Sequence, residues 1–466
     1  MGRQVTINKG QRVHMIGIGG VGMSAVARLL LYKGVHVTGC DSRESRITRE
    51  LSQEGADIVI GHAPGHVQDM DLVIYSTAVL PDHPEMQAAH RLGIAVAHRS
   101  EVLAGLLRDY PLTVGVTGTH GKGTVSSLVT FMLERAGMEP AFAIGAYLLD
   151  YNTNARGGQG RMLVAELDES DGSLLNASPS IAVVNNVEAD HLNYYRDFDH
   201  VVDTIAEFLR NNANLQTAIV CRDDAGAMHA TRLSGREVTT FGLQKDADFF
   251  GDLVSIGPQG SEFRLFDHGK DLGIFRLPLP GRYNCQNALA ALGVCLSIGV
   301  PPDTLRQALG EFSGIENRFG LEEVAGIRLV KDYISHPTGI RRVLETARTF
   351  KPRSLIAIFK PYRYTMMNYL QDEYATAFKD ADRVVITKMW DAGETPIQGI
   401  DTGFLVEKIR QFNDRVDYVD EINDLPEFLS DFIGTGDMLV FLGGPDIFEQ
   451  ADRLKQGLTK KTSGEK

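Results

Sequence analysis

Twice along its length this chain passes from a short apolar strand through a glycine-rich turn into an amphipathic helix, an order of elements that a parallel α/β sheet requires. The first unit begins at Arg12 and turns through Gly17-Ile18-Gly19-Gly20-Val21-Gly22. A helix follows, then a second strand from His36 to Gly39 with Asp41 just beyond its end. The turn matches G-x-G-x-x-G between strand and helix, where missing side chains let backbone N–H groups approach a pyrophosphate. The pattern alone fits NAD, another ribonucleotide diphosphate, or a tight turn without a ligand.

The second unit starts with a strand at Leu112 and carries Gly118-Thr119-His120-Gly121-Lys122-Gly123-Thr124 into a helix ended by Gly137. Backbone amides, a helix N-terminus and a lysine together form an anion site. It departs from a strict Walker A loop, with Val116 where that motif has its first glycine and Gly123 in place of the Ser or Thr after the lysine. The loop points to ATP. Two later apolar strands, RMLVAEL and SIAVVNNV, end in Glu166-Leu-Asp168-Glu169-Ser170-Asp171 and Glu188-Ala-Asp190-His191. Carboxylates at neighbouring strand ends are the hard oxygen ligands that the magnesium of a bound ATP would need.

At about 150 residues per domain, 466 residues predict about three domains. We expect boundaries near Asp109 and Ile315, which give units 1–109, 110–315 and 316–466. The first has further strands at Asp57 to Ile60 and Leu72 to Tyr75, and helices from Pro84 and from Ser100 to Leu107. The second has a more β-like section from Ala218 to Pro280, then helices at NCQNALAALGVCLSIG and PPDTLRQALGEF. The third restarts the βα alternation from Leu329, with SLIAIFK, RVVITKM and DMLVFLGG as strands. The polar tail from Lys455 is expected to fray. The predicted fold is thus α/β in three domains, the third a further α/β layer.

A net charge of −13 argues against a general nucleic-acid or anionic-membrane binder. Four cysteines far apart support neither a zinc knuckle nor a disulfide framework. Without a leader-like start or a long apolar run, the expectation is a cytoplasmic protein.

The ordered segments IGIGGVGMS, GTHGK, ELDESDGSLL, NNVEADHLNYY, GRYNCQNALAA, NRF, DYISHPTGI, PYRYT and GDMLVFLGGPDI resemble the Mur ligase family over nearly the whole chain. That resemblance implies an N-terminal Rossmann-like domain for a UDP-sugar, a central P-loop-type ATPase domain with a parallel sheet and a C-terminal Rossmann-like domain for an incoming amino acid. It implies ATP-dependent amide formation in peptidoglycan precursor synthesis. The carboxylate of UDP-N-acetylmuramate takes the γ-phosphate as an acyl phosphate, and the amine of an amino acid, L-alanine by resemblance, displaces the phosphate.

The resemblance also distributes roles. Gly17, Gly19, Gly20, Gly22 and Asp41 would hold the UDP-sugar, with His62, Ser76 and Arg99 as neighbours. The residues Gly118 to Thr124 would hold the ATP phosphates, and Lys122 would act in catalysis. Asn284 and Asn287 would contact adenine, Arg318 a phosphate and Asp332 the ribose. Glu166 and His191 match the family's magnesium ligands, with Thr124 or Thr119 as the hydroxyl donor; His191 would also serve in catalysis. Tyr333, His336, Tyr362, Arg363 and Met366 occupy the amino-acid motifs, Arg363 as the catalytic-site cation that meets a carboxylate. The family's other branches carry a carbamylated lysine downstream of the histidine, whereas no lysine lies between His191 and Gly235, as in the alanine-adding branch. The implied cofactors are ATP and Mg²⁺, and the implied partners are small molecules, with a monomer or weak homodimer as the assembly.

Some motif positions depart from the family. Gly123 intervenes before Thr124. The usual Asp-Asp-Tyr-x-His-His-Pro-Thr-Glu reads Lys331-Asp332-Tyr333-Ile334-Ser335-His336-Pro337-Thr338-Gly339, and Gln-Pro-His-Arg-Tyr-Thr-Arg reads Lys360-Pro361-Tyr362-Arg363-Tyr364-Thr365-Met366. Losing one arginine of a carboxylate clamp removes a charge-assisted bond worth about 1.5–3 kcal/mol. Two alternatives follow: a specialised homologue joining another acid and amino acid, with Lys331 or Lys360 restoring the charge, or a nucleotide-binding protein that has lost ligase activity. A nucleotide-linked oxidoreductase would use the first loop and leave the second unexplained.

Overall fold

A computed structural model of the chain describes residues 5–463, and its strands form three separate sheets. The first is parallel throughout, in the spatial order Asp57–Ile60, His36–Asp41, Arg12–Ile16, Leu72–Tyr75, Ala95–His98. This is the order of a Rossmann-type half sheet with its switch point beside the first strand. Val13, Met15 and Ile16 are almost fully buried, as a central parallel strand covered on both faces requires.

The central sheet has ten strands. Its parallel heart runs Thr217–Cys221, Ile181–Val184, Leu112–Thr117, Met162–Glu166, Ala141–Leu148. The strand Thr239–Gly242 and an antiparallel meander of Phe249–Gly257, Gly260–Asp267 and Lys270–Leu277 extend one side. Thr153–Arg156 folds back antiparallel at the other edge. The helices Lys122–Arg135, Arg282–Ser297 and Pro302–Glu311 cover one face, where Val125, Leu128, Val129, Leu289 and Leu292 are fully buried.

The third sheet runs Gly320–Val324, Ile327–Asp332, Met438–Leu442, Leu355–Phe359, Arg383–Thr387, Val416–Val419, parallel except for its first pair. The tail expected to fray from Lys455 is helical as far as it is described, in the last helix, Pro445–Ser463; residues 464–466 lie outside the described residues. Leu454 and Leu458 are one helical turn apart, both buried against the sheet, and Lys455 pairs with Glu322. The section from Ala218 to Pro280 is also less uniformly β than expected, because the helix Ala225–Ser234 interrupts it.

The first and central sheets are joined by a buried polar cluster. Arg28, on the helix Val21–Tyr32, bonds Glu50 (2.8 Å) and Glu54 (2.9 Å) of its own domain. Across the boundary it reaches the Tyr147 hydroxyl (3.2 Å) and the side-chain oxygen of Asn154. Asn154 returns bonds to the Val21 carbonyl (2.8 Å) and Ser24 (3.1 Å). Arg46 stacks on the Tyr147 ring at 4.3 Å and pairs with Glu316 at 2.6 Å.

Candidate active site

The ends of the parallel strands of all three sheets face one cleft of about 810 Å³. Topology dictates this meeting, since open α/β sheets place loops and helix N-termini beyond the carboxyl ends of their strands.

The phosphate loop Gly118–Lys122 forms one wall. Gly118 has φ of +130°, and a Cβ there would lie 2.8 Å from the Asn186 carbonyl; only glycine lets the loop press against the neighbouring strand end. Asn185 and Asn186, at the end of Ile181–Val184, bond the His120 carbonyl (2.8 and 3.0 Å), and the Asn186 side-chain oxygen accepts from the His120 N–H at 2.7 Å. The loop is therefore preorganised.

Lys122 opens the helix Lys122–Arg135, and its Nζ reaches the Gly118 carbonyl (2.7 Å) and Glu169 (2.8 Å). Burial works against its charge, but Glu169, Asp168 and Glu166 outweigh burial and raise its pKa. Glu169 itself is 2% exposed, and burial pushes its carboxyl above the usual range despite Lys122 and His191. Nε2 of His120 is buried without a hydrogen bond. Burial drives the His120 pKa down to about 4, so this ring is neutral at pH 7.

Opposite lie the acidic strand ends. Glu166 lines the cleft and accepts from the Gly145 N–H at 2.8 Å. Asp168 pairs with Arg99 of the first domain at 2.6 Å; burial opposes its charge, yet Arg99 and Lys122 hold its carboxyl well below the normal carboxylate range. His191 has φ of +52°, a left-handed conformation held by the Asp190 side chain accepting its N–H at 2.6 Å. Its ring lies 3.7 Å from Glu169.

The predicted residues divide among several places. Gly20, Gly22, Ser76, Arg99, Thr119, His120, Gly121, Lys122, Gly123, Glu166, His191, Arg318, Tyr333, His336 and Tyr362 line the cleft. A smaller adjoining pocket gathers Thr124, Asn284, Asn287 and Asp332, with His120, Gly121, Gly123 and Arg318 shared between the two. Thr124 thus faces this pocket and not the cleft of Glu166 and His191. The Thr119 hydroxyl accepts from the Glu188 N–H at 2.9 Å. A Cβ on Gly123 would stand 3.4 Å from Glu166, so the family's hydroxyl position is the one this chain leaves bare.

Other expectations are corrected. Asp41 does not line the cleft; it braces the glycine turn by accepting from the Gly19 N–H at 2.9 Å. Gly17 and Gly19 shape that turn, Gly17 with φ of +71°. His62 lies away from the cleft, 3.2 Å from the Cys40 sulfur. Asn284 donates to the Pro280 carbonyl (2.8 Å), and Asn287 accepts from Asn185 (2.8 Å), so each amide already serves local structure. Arg363 bonds Asn193 at the surface, and Met366 is buried in the third domain's core, where Tyr374 donates to its sulfur at 2.9 Å. Lys331 is spent on Asp452 and Lys360 on Asp446, which removes both as free partners for an acidic amino acid. Sequence reasoning missed Tyr283 and Arg342, which close the smaller pocket; Tyr283 lies inside the GRYNCQNALAA segment but was given no role, and Arg342 lies just beyond DYISHPTGI.

A chain that joins a self-clamped phosphate lysine, a facing carboxylate–histidine pair and a third α/β layer in one cleft has the organisation of an ATP-using ligase. Family comparison gives the same class. Residues 12–111 match the Mur ligase catalytic domain, 116–295 the Mur ligase middle domain and 317–444 the Mur ligase glutamate ligase domain, and the chain belongs to the Mur ligase family. Among its relatives, the UDP-N-acetylmuramate–L-alanine ligase of Geobacter sp. (strain M21) is 37% identical over 95% of this chain and 97% of its own length. The enzyme of the same name from Solibacter usitatus is 38% identical over 97% of both chains. The crystal structure of the Thermotoga maritima UDP-N-acetylmuramate-alanine ligase superposes with a TM-score of 0.82 at 26% identity, covering 97% of this chain and 99% of that one.

Proposed function

We propose that this protein is the ATP-dependent ligase that joins the carboxylate of UDP-N-acetylmuramate to L-alanine in peptidoglycan precursor synthesis. The observation that carries the reading is Lys122, held by Glu169 at a helix N-terminus in a cleft lined from all three sheets. The matching relatives, named for this reaction and covered almost end to end, support it.

The domain division that serves this reaction is 1–109 for the UDP-sugar, 110–315 for ATP and 316–466 for the amino acid. Backbone amides of the turn from Gly17 to Gly22 and the helix behind it receive the sugar diphosphate. The loop of Gly118 to Gly123, its backbone amides at a helix N-terminus beside Lys122, fits a bound triphosphate. Lys122 stabilises the charge that builds as carboxylate and γ-phosphate approach. Asp332, in the smaller pocket, accepts from a ribose hydroxyl, and Arg318, shared by both spaces, contacts phosphate. Glu166 and His191 are the residues that would hold magnesium, an ion that neutralises phosphate charge when bound. Tyr333, His336 and Tyr362 approach from the third domain and orient the amine.

Lys331 and Lys360 are paired with Asp452 and Asp446, so serving an acidic side chain would require breaking either ion pair. This favours a small neutral amino acid. No helix among the described residues is long and apolar enough to cross a membrane, and the substrates are small molecules. The test is phosphate release from ATP and Mg²⁺ with UDP-N-acetylmuramate and each amino acid in turn, with products identified by mass. Alanine-dependent release is expected. Release only with another amino acid would assign the altered motifs to specificity, and none with any would overturn the reading.

A further inference from the structure

Away from the cleft, four metal-ligating side chains of the first domain converge in its interior. They are His14 on the central strand Arg12–Ile16, Cys40 on His36–Asp41, His66 in the short turn Pro64–Val67, and Glu85 in the first turn of Pro84–Leu92. One ligand atom from each lies within 4.8 Å of every other. Glu85 is 0% exposed and sits at the centre. One of its oxygens lies 3.2 Å from His14 Nε2 and 2.9 Å from the Cys40 sulfur, and the other lies 2.8 Å from His66 Nδ1.

The His14 ring is fixed at one nitrogen and aimed with the other: Nδ1 lies 2.8 Å from the Thr38 hydroxyl, while Nε2 points at Glu85. Fixing one ring nitrogen through a neighbour while the other points at a cation is how metal-binding histidines are oriented. Two imidazoles, one thiol and one carboxylate form a mixed N₂SO set suited to zinc. Zinc bonds of about 2.0–2.3 Å give tetrahedral edges of roughly 3.3–3.7 Å, so the contacts of 2.8 to 3.2 Å around Glu85 would open by a few tenths of an ångström about an ion.

We propose that His14, Cys40, His66 and Glu85 form a structural binding site for a divalent transition-metal ion of the zinc type. The ion would tie two neighbouring strands, the turn beyond Asp57–Ile60 and the start of a helix into one unit. Cys40 supplies the thiolate, and His62, 3.2 Å from that sulfur, covers the outer side.

The test uses tag-free full-length protein. Metal is measured as purified; the chelator-stripped protein is then titrated with Co²⁺ in excess Mg²⁺, which occupies any hard-oxygen site in the cleft. Expected are one zinc per chain and a near-ultraviolet thiolate-to-cobalt band that disappears in Cys40→Ser. Thr38→Val, which touches no ligand position, should weaken metal affinity by about 10–100-fold. Melting curves establish that each variant is folded, and His66→Asn serves in place of Cys40→Ser should that variant fail to fold. A wild-type protein with neither stoichiometric metal nor the cobalt band would overturn the proposal and leave a proton between His14 and Glu85. A band that survives in folded Cys40→Ser would overturn it as well.

Discussion

Lys122 and Glu169 form a buried pair whose members depend on each other, and this sets what a substitution does. Lys122→Ala should abolish alanine-dependent phosphate release. Its cost in stability should fall short of the about 3–5 kcal/mol usual for breaking a buried pair, because the Glu169 carboxyl, already raised, takes up a proton. Denaturant unfolding beside the activity assay checks both. Asp332 gives a pH prediction. Burial raises its carboxyl to about 6 against an unperturbed 3.8, so the folded state binds the proton more tightly and loses stability as pH rises from about 4 through about 6. In nucleotide-free protein, Asp332→Asn should match wild type below about pH 4 and be the more stable above about pH 6, by a margin of order 3 kcal/mol. At this scale sequence reading was uneven for a physical reason. Glycines and a lysine at a helix start have few alternative uses, so the loop was legible. Amides and thioethers serve packing as readily as ligands, and Asn287 and Met366 went to structure.

Among the elements, strands dominated by β-branched residues such as Ile181–Val184, three of whose four are Ile or Val, were legible, while Ala95–His98, two of whose four residues are alanine, was not. The hairpin Ala141–Leu148 with Thr153–Arg156 was missed because it carries no turn dipeptide of the usual type. The last helix was misread because the charge of its tail hid the i, i+4 pair Leu454 and Leu458. The start of the helix Lys122–Arg135 carries a prediction of its own. Gly123 leaves bare the position that faces Glu166, with 3.4 Å of room for a Cβ. Gly123→Ser should place a hydroxyl there and lower the Mg²⁺ concentration for half-maximal turnover several-fold. A Mg²⁺ titration at saturating substrates reads the shift, and an unchanged midpoint would show that the ion takes no ligand from this side.

For the molecule as a whole, the two domain junctions differ in kind. The first and central domains share a buried arginine with partners on both sides of the boundary. Arg28→Met would leave Glu50 and Asn154 without their cation, and should cost about 3–5 kcal/mol in unfolding free energy. The third domain meets the central one around the cleft through contacts that include Arg363 with Asn193, His336 with the Ala189 carbonyl (3.2 Å) and the His120 ring (4.8 Å between centroids), and Arg342 with Glu188 (3.9 Å). With no buried arginine among the described residues pinned across this junction, the third domain is expected to be the part that moves when the acyl phosphate must be shielded from water. Solution scattering should show a smaller radius of gyration with UDP-N-acetylmuramate and a non-hydrolysable ATP analogue than with neither.

The clamp between Lys122 and Glu169 also makes the loop its own competitor. An incoming anion must displace a resident carboxylate before it gains the ammonium, so a stray phosphate ion, with few contacts to offer in exchange, is turned away. A triphosphate anchored through its base and ribose in the adjoining pocket brings enough attachment to win that contest. The internal anion thus acts as a threshold, keeping the loop indifferent to the simple phosphates that its own reaction releases.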